Sequence, residues 1–185
     1  MSNPEEEGFG FAPEHDVPIP YMTRIRDYYQ ALGYGAPYRW AHYAEVPFAP
    51  LKKPLGDSRI GLITTAAPYQ PGNGDQGPGA PYNAAAKFYT VYSGDAALDH
   101  DLRIAHVGYD RIHTTAEDSN TWFPLPALRR LAAPGASGGR IGEVAPRFHG
   151  APTDRSHRAT LDRDCPELLA RVRADQVDAV VLVAV

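Results

Sequence analysis

The chain has 185 residues, of which 43% are hydrophobic and 22% are charged, and its formal net charge is −4. These values fit one globular domain with a buried core and exclude a largely disordered chain. The negative charge argues against a nucleic-acid-binding surface as the main function. No segment approaches the roughly 20 consecutive apolar residues of a membrane-spanning helix. We therefore predict neither a nucleic-acid partner nor a membrane partner.

The single cysteine, Cys165, cannot form an intramolecular disulfide, which fits a reducing compartment. The N-terminus is acidic and lacks the apolar stretch of a secretory signal, so the protein is expected in the cytoplasm. Residues 1–18 are polar, acidic and proline-containing, and they predict a loosely held tail. Residues 19–185 are expected to form a single α/β domain. The 18 prolines and 17 glycines predict long loops between its regular elements.

The first predicted helix begins after Pro20. Its apolar residues recur at spacings of three and four up to Leu32, and Gly33 stands where a C-terminal cap belongs. The next segment, Tyr34–Pro54, has no periodicity and combines aromatic residues with prolines. One interpretation is an extended wrap over the surface, and the other is the mouth of a binding site. In the second case the residues lining the site are Trp40, His42 and Glu45.

The run Arg59–Thr65 is short and apolar, which is typical of a buried parallel strand. It is followed by Pro68–Asn83, a segment rich in glycine and proline. This segment matches neither GxGxxG nor GxxxxGK[ST], so we interpret it as a loop and not as a nucleotide site. Two further strands are predicted, at Lys87–Tyr92 and Leu102–Val107.

Two helices are predicted in the C-terminal half, at Pro124–Leu131 and Asp164–Ala174, with a strand at Ile141–Ala145 between them. The last segment, Val177–Val185, is almost wholly apolar and β-branched, which is typical of a central parallel strand. Strands alternating with crossover helices favour an α/β fold with an open, mostly parallel, doubly wound sheet of the flavodoxin or Rossmann type.

No crossover helix follows the predicted central strand in this sequence. Two explanations stay open: either the natural protein is longer and this domain lacks its C-terminal part, or another chain covers the strand. An edge strand packed on an earlier helix is disfavoured, because nine residues in this run are so apolar. A homo-oligomer or a partner subunit is therefore expected if the chain does not continue.

Six blocks of sequence together resemble the selenoprotein B subunit family of the glycine/sarcosine/betaine/D-proline reductases, particularly its shorter bacterial relatives. Each block is moderately specific, and together they span about residues 20 to 185. The blocks are YMTRIRDYYQALGY (Tyr21–Tyr34), WAHYAEVPFAPLKKPL (Trp40–Leu55), SRIGLITTAAP (Ser58–Pro68), HTTAEDSNTWFPLPAL (His113–Leu128), RIGEVAPRFHGAPTD (Arg140–Asp154) and VDAVVLVAV (Val177–Val185).

The resemblance implies a subunit that binds a small amino acid or N-methylated amine and cleaves a C–N bond reductively. It also implies a selenocysteine, or a cysteine in its place, in a redox motif immediately after the strand matching Val177–Val185. That motif is absent, so no cofactor is expected in this chain and the redox residue is expected downstream. An in-frame UGA codon read as a stop would produce this end. The implied partners are a small-molecule substrate and a thiol or selenol electron-donor protein. Cys165 lies about one helix away from that position and is interpreted as structural.

Candidate site residues follow the predicted strands. An arginine can bind a substrate carboxylate through two hydrogen bonds, and a histidine can give a proton to a departing amine. We therefore predict two catalytic histidines, His113 and His149, and three substrate-binding residues, Asp118, Arg147 and Asp154. The alternative is that Arg147 and Asp154 form a structural ion pair and that His149 packs in a turn.

No metal site is predicted, because the histidine spacings match no ligand motif and cysteines do not cluster. A hydrolase is disfavoured because neither GxSxG nor HExxH occurs. The remaining alternative to a reductase is a non-catalytic α/β module that binds a small ligand or assembles subunits.

Overall fold

The computed structural model describes residues 18, 20–35, 42–74, 81–106, 108–110, 112–113, 116–135, 141–152 and 156–185. It divides the chain into two units, Met1–Trp40 and Ala41–Val185. In the first unit the predicted helix is confirmed as α1 (Tyr21–Ala31). Gly33 has a φ of +83°, a left-handed conformation that glycine adopts without strain after a helix end. The predicted tail lies outside the described residues, except for residue 18.

The second unit is built around a five-stranded sheet whose central strand is β1 (Arg59–Thr64). Two short strands, β5 (Glu143–Val144) and β6 (Arg147–Gly150), pair in parallel with one side of β1. β7 (Ala179–Val183) pairs in parallel with the other side. β3 (Tyr92–Asp95) is antiparallel to β6. The predicted α/β class with an open, mostly parallel sheet is therefore confirmed.

Side chains of β1 alternate between two hydrophobic clusters, one on each face of the sheet. Ile60 and Leu62 belong to the larger cluster, which α2 (Leu125–Ala132) covers with Leu125 and Leu128. Ile63 points the other way and packs with Leu168 of α4 (Cys165–Ala174). The sheet therefore has helices on both faces, as a doubly wound arrangement requires.

Both predicted helices of this unit are confirmed, with shifted starts. The first turn of α2 is stabilised by a residue that lies upstream of its N-cap. Oδ1 of Asn120 accepts a hydrogen bond from the backbone N–H of Ala127 at 3.0 Å. The helical backbone that contains α4 begins earlier than predicted, with α3 (His157–Ala159) and one π-helical turn (Thr160–Asp164). The earlier start follows from Ser156, whose Oγ accepts from the N–H of Ala159 at 3.2 Å.

Two strand predictions were wrong in position. Lys87–Tyr92 shares only its last residue with β3, because the partner strand β6 begins to pair at Tyr92. Val91 is buried but lies outside β3, so its β-branched side chain indicates packing in the core and not hydrogen bonding in the sheet. The strand predicted at Leu102–Val107 is reduced to β4 (Leu102–Arg103), which pairs antiparallel with β2 (Ala67–Pro68) in a separate sheet. Residue 107 lies outside the described residues.

The strand predicted at Val177–Val185 is confirmed as β7, and within the described residues it is not central. Among the described residues β7 pairs only with β1, so it lies at an edge of the sheet. Three of its side chains are exposed, at 40% for Val180, 37% for Val181 and 65% for Leu182. Ala179, Val183 and Val185 pack against the larger cluster, so the apolar composition of this segment reflects burial for only part of its length.

Candidate functional site

The antiparallel pair β3 and β6 places different chemistry on the two faces of the sheet, because successive side chains of a strand point to opposite faces. On the face of the larger cluster an aromatic residue lies opposite a glycine twice: Tyr92 opposite Gly150, and Phe148 opposite Gly94. On the face towards α4, Ser93 lies directly opposite His149. The polar pair is thus set by the register of the two strands.

The imidazole of His149 is almost wholly buried, with 1% of the residue exposed. Oγ of Ser93 lies 2.8 Å from its Nδ1 and accepts a hydrogen bond from Nη1 of Arg171 at 2.6 Å. Arginine only donates, so the Ser93 hydroxyl keeps its own proton available for Nδ1 of His149. The other ring nitrogen is Nε2. This nitrogen lies 3.2 Å from Oδ2 of Asp175, although the alignment falls short of a hydrogen bond.

Asp175 is held at the C-terminal end of α4. The helix end closes with the N–H of Val177 donating to the carbonyl of Val172 at 3.1 Å and with Gln176 in a left-handed conformation at φ 56°. A carboxylate is disfavoured there by the negative end of the helix dipole. Arg147 offsets this cost, because its Nε and Nη2 donate to the carboxylate of Asp175 at 2.7–3.2 Å.

Asp175 therefore fills the guanidinium fork that was predicted to bind a substrate carboxylate. The substrate-binding role of Arg147 stays a prediction, and it requires the substrate to displace Asp175. The alternative of a structural ion pair fits the geometry, with Asp175 as the partner. The partner predicted for it, Asp154, lies outside the described residues.

Arg147 and His149 also lie within β6 and not in a loop after a strand. The strand predicted at Ile141–Ala145 is reduced to the two residues of β5.

The surroundings of His149 favour its neutral form. Burial is the largest cause and lowers the pKa of the ring below its ordinary value. The nearby Asp175 carboxylate acts in the opposite direction, whereas the Arg147 and Arg171 guanidinium groups lower the pKa further. A neutral, buried ring that is hydrogen-bonded to Ser93, which in turn accepts from Arg171 of α4, is suited to hold β6 against α4.

This arrangement predicts that the free energy of unfolding falls as the pH is lowered through about 6.5, where an unfolded histidine takes up its proton. Over this range His149 takes up a proton in the unfolded chain but stays neutral in the folded chain, because its folded-state pKa is lowered. Acid therefore favours unfolding. His149→Gln should remove this part of the slope in urea titrations between about pH 5.5 and 7.5. His42→Gln, at an exposed position, should keep it. An unchanged slope in His149→Gln would show that other groups cause the acid sensitivity.

The second predicted catalytic residue, His113, has a different environment. Its Nδ1 lies 2.8 Å from Oδ2 of Asp110, a carboxylate that also accepts from the backbone N–H groups of Ile112 and His113. The carboxylate is buried, whereas the His113 side chain is 46% exposed. An imidazole oriented by a buried carboxylate and open to solvent can exchange protons with a ligand. Its catalytic role stays a prediction.

The other predicted site residues do not join these groups. Asp118 caps a short 3₁₀ turn, where its Oδ1 accepts from the N–H and the side-chain amide of Asn120 at 2.9 and 2.8 Å. These hydrogen bonds lower the pKa of the Asp118 carboxyl. His42 and Glu45 lie exposed on an irregular segment. Trp40 lies outside the described residues.

Sequence reasoning missed Ser93, Arg171 and Asp175. No local signal marked Ser93, because its position opposite His149 follows only once β6 is known as the partner strand of β3. Nothing in the sequence links Arg147 to Asp175, because the two residues are 28 positions apart on different elements.

Within the described ranges, no three or more His, Cys, Asp or Glu side chains come close enough together to hold a metal ion. No helix in those ranges is long and apolar enough to cross a bilayer. Comparison with known families gives a match over residues 30–185 to the family described as glycine/sarcosine/betaine reductase selenoprotein B. No curated protein and no solved structure matches the chain.

Proposed function

Because the chain belongs to the glycine/sarcosine/betaine reductase selenoprotein B family, we propose that it is the subunit of a reductase that cleaves the C–N bond of a small amino acid or N-methylated amine. The match over residues 30–185 is the observation that carries this proposal. Reductive cleavage consumes two electrons and two protons. One proton ends on the carbon, in a new C–H bond, and the other on the departing amine.

Displacing the amine requires a soft nucleophile, a selenolate or a thiolate, and a dithiol reductant supplies the two electrons. The chain contains one cysteine, Cys165, which is exposed at the start of α4, and it contains no second thiol. We therefore place the selenocysteine or redox cysteine in a segment that follows Val185. Oγ1 of Thr65 accepts from the N–H of Val185 at 2.8 Å, which holds that residue beside the carboxyl end of β1. Ligands of open parallel sheets bind at this edge.

The two predicted histidines suit different roles in such a reaction. The exposed ring of His113, oriented by Asp110, is the better proton donor for a departing amine. His149 is buried in its network and is proposed to position β6 at the sheet edge. This assignment puts proton transfer on the loop before α2 and leaves the buried histidine out of contact with substrate.

The first test is the nucleotide sequence of the locus beyond codon 185. We expect an in-frame UGA or a cysteine codon, followed by a continuing reading frame. The completed protein, supplied with a dithiol reductant and its partner subunits, should release amine from glycine, sarcosine or betaine. Cys165→Ser should retain this activity, and Ser or Ala at the downstream redox position should abolish it. A stop without continuation, and no amine release by the chain with its partners, would contradict the proposal.

A further inference from the structure

Two consecutive threonines stand at the carboxyl end of β1. Thr64 is the last residue of the strand, and Thr65 follows it directly. Both are buried, with 0% of Thr64 and 9% of Thr65 exposed. A buried hydroxyl needs hydrogen-bond partners within the protein, so the partners of these two side chains show what the end of β1 holds in place.

Thr65 holds the chain that leaves β7. Its backbone N–H donates to the carbonyl of Val183 at 3.2 Å, which is the last residue of β7 in register with β1. Its Oγ1 accepts from the N–H of Val185 at 2.8 Å and donates to the carbonyl of the same residue at 3.2 Å. Beyond Val183, a side chain therefore replaces the backbone partner that a longer β1 would supply.

Thr64 holds a different segment at the same strand end. Its Oγ1 donates to the carbonyl of Trp122 at 3.1 Å and accepts from the N–H of Ala66 at 3.1 Å. The indole of Trp122 in turn donates to the carbonyl of Ala116 at 3.1 Å. Ala116 is three residues after His113. The end of β1 thus fixes both the chain after β7 and the segment that follows the proposed proton donor.

The backbone that carries the two threonines is itself held. The carbonyl of Ala66 accepts from the hydroxyl of Tyr92 at 2.6 Å, and 0% of both Ala66 and Ala67 is exposed. Reacting groups have to be held to within about 0.5 Å of their productive positions. A buried strand end that is hydrogen-bonded on several sides is suited to that task.

We infer that Thr65 is a positioning residue of the proposed reductase. By fixing the backbone of Val185, its hydroxyl sets the position of the redox residue that follows. The inference rests on the proposed function for that redox residue, whereas the hydrogen bonds of Thr65 belong to the chain itself. Thr65 acts through the backbone of Val185 and contacts neither the substrate nor the reacting atoms.

The first test measures amide hydrogen exchange of Val185 by NMR in the purified chain. Thr65→Val keeps the branched shape and removes the hydroxyl, so the exchange rate should rise at least about 10-fold. Thr65→Ser keeps the hydroxyl and should exchange nearly as slowly as wild type. The matched control is Thr23→Val, at an exposed position of α1, which should leave this rate unchanged. Equal exchange in Thr65→Val and wild type would overturn the inference.

The second test uses the completed reductase. Thr65→Val should lower kcat for amine release by about 10-fold or more and leave KM within about 2-fold, because the nucleophile is misplaced and the substrate contacts remain. The rate constant for alkylation of the redox residue by iodoacetamide should rise at least about 3-fold, because a released segment is more accessible. Thr65→Ser should restore both values.

These readouts separate positioning from folding. A smaller folded fraction lowers the amplitude of the alkylation of native protein without changing its rate constant, so kcat is counted per folded molecule, with circular dichroism as a check. If the wild type releases amine and Thr65→Val does so at the same kcat, the positioning role is wrong and the proposed function stands. If the wild type releases no amine, both are overturned.

Discussion

Asp175→Asn is expected to lower the free energy of unfolding by about 2–3 kcal/mol, because it removes the partner of Arg147 and leaves a buried amide beside His149. The estimate lies below that for a fully buried ion pair, since 43% of the Arg147 side chain remains in contact with water. The replacement keeps the size of the side chain, so lost packing contributes little. Urea unfolding at neutral pH measures the effect.

A double-mutant cycle assigns this loss to its cause. If the bidentate pair dominates, the double variant should be only slightly less stable than Arg147→Met alone. Adding Asp175→Asn then costs little, because the pair is already gone. Asp162→Asn serves as the matched control and should leave stability nearly unchanged, since Asp162 is exposed. Full additivity of the two changes would show that Asp175 stabilises the fold by contacts other than Arg147, such as that with His149.

Gly150→Ala is expected to cost about 2–3 kcal/mol through overpacking of the β3–β6 pair. A Cβ at residue 150 would overlap the ring of Tyr92, which lies directly across from it. The ring cannot move freely, because its hydroxyl donates to the carbonyl of Ala66 at 2.6 Å and its edge meets Phe88 and Phe148. Thermal and urea unfolding give the magnitude.

The matched control for this substitution is Gly56→Ala. A Cβ at Gly56 would meet no atom within 4 Å, so its stability should stay close to that of wild type. In a Tyr92→Leu background, Gly150→Ala should cost less than in the wild type, because the overlapping ring atoms are gone. An equal cost in both backgrounds would place the origin in the backbone of β6 and not in the aromatic contact.

The elements that sequence reasoning placed correctly are those whose signal is local. Four consecutive residues of β1 are apolar, and the leucines of α2 recur at helical spacing, so the burial of each segment can be predicted from its own sequence. β6 has no such signal. Its four residues, Arg147–Gly150, mix charge, aromatic ring and glycine, and they form a strand because β1 and β3 lie on either side.

The candidate site depended even more on contacts between distant residues. The sequence showed that Arg147 and His149 are two residues apart, and a strand places both on one face. It could not show that Asp175 closes α4 at that point and takes the guanidinium of Arg147.

The edge position of β7 has a consequence for handling the protein. Its sequence AVVLV combines high β-propensity with no charge and no proline, and its outer backbone groups face away from β1. Exposed strands of this kind are templates for pairing with other chains, and natural edges are usually protected by a lysine, a proline or a bulge. No lysine or proline lies within β7. We therefore expect this chain to aggregate at high concentration. Leu182→Lys, at an exposed position, should reduce the aggregation.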